Sequence, residues 1–103
     1  METIIRIAGV SFGDAQENIR RWGNKDIGTF ALIREPDNKY DPNAIQVSLF
    51  GKFFMGYIPK HIAGKLAPLM DAGRKFIAEF VQVNEWEPYD LIGMTIKIIE
   101  VGA

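Results

Sequence analysis

The chain has 103 residues, enough for one domain with a single modest core. Twelve Lys and Arg stand against 13 Asp and Glu, and 48% of residues are hydrophobic, as in an ordinary globular protein. A near-neutral balance excludes the broad basic face that coats duplex DNA, but leaves room for a small pocket that grips a few nucleotides. Cysteine is absent, so there is no disulfide framework, thiolate zinc site or cysteine nucleophile. That fits a reducing compartment, and the cytoplasm is the expected location. The opening METIIRIAGV is too short and too polar at its flanks for a signal peptide. No apolar run is long enough to span a bilayer, so no membrane partner is expected.

The elements follow in chain order. Residues 3–9 read as a strand with Ile5 and Ile7 on one face. Asp14 followed by Glu17 resembles a capping box, and Ala15, Ile19 and Trp22 share one helical face, so residues 14–22 read as a helix stopped by Gly23. Residues 29–34 form the second strand. Residues 44–50 form the third, with Ile45, Val47 and Leu49 alternating against Gln46 and Ser48. Gly51-Lys52 reads as a tight turn into a fourth strand at 53–58, where Gly56 marks a bulge or a close backbone approach. Phe53 and Phe54 place one aromatic on each face of this hairpin, and one of them is expected to need a partner to cover it. Pro59 opens a helical stretch with Ile62, Ala63, Leu66, Leu69 and Met70 on one face. Pro68 clashes with the Gly64 carbonyl, which predicts either two short turns of helix or one kinked helix ending at Gly73. Residues 75–84 and 91–101 are the last strands, joined by EWEPYD.

The order β-α-β-β-β-α-β-β over residues 1–103 predicts one mainly β, α+β domain. Its expected architecture is a small six-stranded barrel, OB-like or SH3-like, with two short helices.

Enzyme signals are sparse. His61 is the lone histidine, no nucleophile elbow is present, and His61 at a helix start reads as solvent-facing or capping. The oxygen-rich set Glu35, Asp37, Asn38, Asp41 and Asn43 lacks the glycine and distal glutamate of a calcium loop, and turn formation explains the same residues. No cofactor and no metal is expected. A single-strand nucleic-acid site needs aromatic faces for stacking and a few cations for the backbone. Phe12, Tyr40, Tyr57, Trp86 and Tyr89 supply faces in the connections. Lys39, Lys60 and Lys65 supply charge near the same end. Phe30, Phe76 and Phe80 alternate within strands and read as core. The ordinary reading of Asp41 is an Asx-turn onto the amide of Asn43.

The block R-E-P-D-N-K-Y-D-P-N-A-I-Q-V spans residues 34–47. It is followed by G-Y-I-P-K and then A-G-K-L-A-P-L-M-D-A-G. This succession resembles the HIRAN domain family, whose pattern has the same order, and G-V-S-F resembles the end of that family's first strand. The resemblance runs from about residue 5 to residue 95. It implies an OB-like barrel that binds the 3′ end of single-stranded DNA. It also implies an accessory role in DNA repair beside a helicase or other DNA-processing protein, or a free-standing small protein. By position, Tyr40 matches the pocket tyrosine, and Asp41 matches the aspartate that accepts the terminal 3′-hydroxyl. An ionised carboxylate only accepts, so it fits a hydroxyl and repels a terminal phosphate.

The chain departs from that pattern at four places. Ser11 and Phe12 stand where repair-associated members carry arginine and tyrosine. Tyr57 replaces a histidine, and Lys39 replaces a common proline. The expected DNA-binding set is Phe12, Lys39, Tyr40, Asp41, Tyr57 and Lys60, with Trp86 or Tyr89 as a second stacking aromatic. With fewer cations, binding is expected to be weaker than in the eukaryotic modules. The expected function is a non-catalytic 3′-end-binding module. The alternatives are a protein-interaction barrel that has lost the pocket, and a metal-dependent hydrolase using Glu35, Asp37 and Asp41.

Overall fold

The computed structural model describes residues 2–85 and 91–102. Its elements are β1 (Glu2–Arg6), α1 (Ala15–Trp22), β2 (Thr29–Arg34), β3 (Ile45–Leu49), β4 (Phe53–Tyr57), α2 (Lys60–Asp71), β5 (Lys75–Glu85) and β6 (Ile92–Val101). The β-α-β-β-β-α-β-β order is the expected one. Trp86 and Tyr89 lie outside the described residues.

All six strands join one antiparallel sheet in the order β1-β6-β5-β2-β3-β4. The ring expected of a barrel is drawn together at one point rather than closed by a continuous ladder. Beyond β1 the chain crosses to β4, and Ala8 exchanges two backbone hydrogen bonds with Tyr57, at 2.7 and 2.8 Å. Gly56 makes this approach possible. A Cβ there would stand 2.6 Å from the Ala8 carbonyl oxygen, and its φ of +152° disfavours other residues. The β3–β4 register also shifts at this place, which is the irregularity Gly56 announces.

Inward residues from every layer share one core. Ile19 of α1 and Leu66 of α2 are fully buried with Phe30, Val47, Met55 and Ile96 of the sheet. Ala15 and Ile19 bury the expected face of α1, and Trp22 is half-buried against Phe53, with ring centroids 5.2 Å apart. The capping box does not form, since Asp14 makes no side-chain cap. Gly23 ends α1 without a left-handed φ. It is needed because a Cβ would meet the Ile19 carbonyl oxygen at 2.6 Å.

Helix α2 runs unbroken through Pro68, and Pro59 is its cap rather than its first residue. It ends in a Schellman arrangement. Arg74 N–H donates to the Leu69 carbonyl and Gly73 N–H to the Met70 carbonyl, with Gly73 at φ +99°. Ser48, which the alternation places outward, is fully buried beside the β3–β4 register shift, and its hydroxyl has no hydrogen-bond partner among the described residues.

The β3–β4 turn lies one residue before the expected Gly51-Lys52. Lys52 N–H donates to the Leu49 carbonyl, so Phe50 and Gly51 are the central pair, with φ of +57° and +68°. Two positive φ values define a type I′ hairpin, whose first position favours Asn. Phe50 holds it at a cost of about 1–2 kcal/mol. Phe50→Asn is therefore expected to stabilise the domain by about 1 kcal/mol. The urea midpoint should rise with an unchanged m-value.

Candidate functional site

The block between β2 and β3 folds as two consecutive proline turns. Asn38 N–H donates to the Glu35 carbonyl at 3.0 Å, and Ala44 N–H donates to the Asp41 carbonyl at 3.0 Å. Each turn has proline second, at Pro36 and at Pro42, where a fixed φ is pre-set for the bend. Lys39 and Tyr40 link the two turns, which pushes the Tyr40 ring out to 83% exposure.

Asn38 joins the turns from within. Its Oδ1 accepts the backbone N–H groups of both Tyr40 (2.9 Å) and Asp41 (3.1 Å). Its Nδ2 donates to Glu35 Oε1 at 3.0 Å. Glu35 also receives the Tyr57 hydroxyl on Oε1 at 2.9 Å and Gln46 Nε2 on Oε2 at 2.7 Å. One carboxylate thus ties the loop, β3 and β4 together. Burial works to raise the Glu35 carboxyl, but the hydrogen bonds from Asn38, Gln46 and Tyr57 outweigh it and hold it below its ordinary value. Burial and the neighbouring Glu35 charge push the Tyr57 phenol up. The loop base is clamped by Arg34, which pairs bidentately with Asp71 of α2 (2.9 and 3.0 Å) and donates to the Ala44 carbonyl at 3.0 Å.

A second loop faces this one. Phe12 lies in a turn closed by its N–H on the Gly9 carbonyl, and it is 60% exposed. Gln16 fixes that loop. Its amide donates to the carbonyls of Val10 (2.7 Å) and Ile92 (2.8 Å) and accepts the Ile92 N–H (2.9 Å), as a strand residue would. Between the loops opens a cleft of about 900 Å³. Phe12, Tyr40, Asp41, Tyr57 and Lys60 all line it, with Asn38, Phe54 and the small residues Ala8, Gly9, Gly13 and Ala44.

Lys39 is not in the lining; its ammonium lies 5.2 Å from the Tyr40 ring centroid. Lys65 is exposed on α2, outside the cleft, and His61 is also exposed. Phe30 and Phe76 are buried, and Phe80 is half-buried. Asp41 serves its Asx-turn with Oδ1, which takes the Asn43 N–H at 2.9 Å. Glu35, Asp37 and Asp41 do not converge. Among the described residues no three His, Cys, Asp or Glu come together to hold a metal. Phe53 and Phe54 each find cover within the chain, on Trp22 and on Tyr57.

The match to a family model of the HIRAN domain spans residues 4–98. The chain belongs to the HIRAN domain family. A Fanconi-associated nuclease 1 homolog from Oryza sativa subsp. japonica is 41% identical over 46 residues, which is 42% of this chain and 5% of that protein. A helicase-like transcription factor from Oryctolagus cuniculus is 49% identical over 41 residues, 40% of this chain and 4% of that one. The HIRAN chain thus spans a small fraction of these relatives. The crystal structure of the HIRAN domain of human HLTF superposes with a TM-score of 0.71 at 22% identity, over 96% of this chain and 74% of that one. A protein from Lactobacillus plantarum gives 0.66 at 22%, over 95% and 98%. Both confirm the mainly β, α+β fold, and HIRAN membership supports a nucleic-acid-binding module. Among the described residues no helix is long and apolar enough to cross a membrane.

The Glu35 network carries a pH signature. Its folded value lies below the ordinary 4.5. Its stabilisation is therefore complete above roughly pH 5 and is lost as pH falls through the folded value. Glu35→Gln is expected to cost about 1–2 kcal/mol at pH 7. It should also show a smaller drop in urea midpoint between pH 6 and pH 3 than the unaltered chain.

Proposed function

We propose that this HIRAN domain binds the 3′ end of single-stranded DNA and catalyses nothing itself. The observation that carries the reading is one cleft that gathers two exposed aromatic faces, one carboxylate and one cation from three separate segments. Phe12 and Tyr40 offer stacking faces to the last bases. Asp41 accepts the terminal hydroxyl with the oxygen that its turn leaves available, and its charge repels a terminal phosphate. Lys60, at the start of α2, takes a backbone phosphate. Tyr57 contributes its ring as a wall, because its hydroxyl is committed to Glu35. The relatives carry this domain in proteins named as a nuclease homolog and a helicase-like factor. A DNA-processing partner in repair is the matching role for this chain.

Fluorescence anisotropy with a short labelled strand tests the reading, comparing a 3′-hydroxyl with a 3′-phosphate. The hydroxyl strand should bind more tightly. Asp41→Ala should lose about tenfold or more of that preference, since a hydrogen bond to a charged group contributes roughly 1.5–3 kcal/mol. Tyr40→Ala should weaken both strands by about 1–3 kcal/mol. Equal binding of both ends, unchanged in Asp41→Ala, would reject end recognition, and no binding of either strand would favour a protein-interaction barrel.

A further inference from the structure

A second groove of about 520 Å³ runs between α1 and the β3–β4 hairpin. It shares Gly13 and Phe54 with the first cleft, so the two are continuous. Arg21, Lys52 and Phe53 line its far part. Each cation lies over a ring: Arg21 is 5.7 Å from the Trp22 centroid and Lys52 is 5.4 Å from that of Phe53. Trp22 and Phe53 pack on one another, so the two cations are borne on a single aromatic pair. Among the described residues neither cation forms an ion pair. Two residues before Lys52 stands Phe50, 79% exposed in its costly left-handed conformation. An exposed aromatic that the turn chemistry disfavours points to a use outside folding.

We infer that this groove carries the single strand away from the end pocket, with the phosphates upstream of the terminal nucleotides on Arg21 and Lys52 and an upstream base on Phe50. The inference rests on the 3′-end reading for its direction, but not for its existence. The occupant is a nucleic-acid strand because the groove continues the pocket and combines cations with aromatic faces. Asp14 and Glu17 line the same groove and oppose phosphates, which sets a modest affinity and gives a test by gain of binding.

The experiment titrates the full chain with oligothymidylates of two to eight nucleotides bearing a 3′-hydroxyl, at several salt concentrations. Affinity should rise about tenfold as the strand lengthens past the pocket. Arg21→Ala with Lys52→Ala should abolish that gain and leave the dinucleotide affinity unchanged. It should also shrink the salt slope for the longer strands by about 1.4, at about 0.7 per phosphate contact. Glu17→Gln should strengthen only the longer strands. Phe50→Asn should weaken them while raising the melting temperature, which separates lost contact from lost fold. Two outcomes overturn the groove: no gain with length, or a gain that survives the double variant. If the dinucleotide fails to bind but longer strands bind through Arg21 and Lys52, the groove stands and the end-pocket reading falls.

Discussion

Glu35 gives its two carboxylate oxygens to three donors, and the site depends on that arrangement. Asn38, Gln46 and Tyr57 come from the loop, β3 and β4, and one charge between them fixes their mutual placement. The effect passes onward through the Asn38 amide. With its nitrogen held by Glu35, its oxygen must face the backbone of Tyr40 and Asp41. A half-buried carboxylate is costly unless its lone pairs are used, and here they are used on pieces of chain that must be aligned.

The sequence shows local chemistry more readily than distant pairing. Pro36 and Pro42 announce two turns because proline sets its own φ. The run from 45 to 49 announces a strand because Ile45, Val47 and Leu49 take the core face at period two. Phe12, Tyr40 and Asp41 stand out as polar or aromatic residues where turns occur. Gln16 gave no such signal, since its partner Ile92 lies 76 residues away. The Tyr57 hydroxyl was equally silent, because Glu35 is 22 residues distant and only the fold brings them together. Ser48 misled the alternation because the register shift beside it changes what covers it. The turn falls at Phe50-Gly51, not Gly51-Lys52, and sequence hides it because a bulky residue holds the position where Asn is usual.

Neutral charge and nucleic-acid binding are compatible in this molecule because its cations are placed rather than numerous. Arg34, Arg74 and Lys97 are paired with Asp71, Glu100 and Glu2. Lys60 stands in the cleft, and Lys39, Arg21 and Lys52 lie over aromatic rings.

The meeting of Ala8 with Tyr57 has a mechanical consequence. The cleft lies across the seam where the two margins of the sheet touch, with Ala8, Gly9 and Phe12 on one bank and Tyr57, Ile58 and Lys60 on the other. Two hydrogen bonds alone join the banks in the backbone among the described residues. A ligand lodged there touches both and acts as a staple across the seam. Occupancy and closure of the ring are then linked equilibria, so whatever fills the cleft also resists the parting of the sheet.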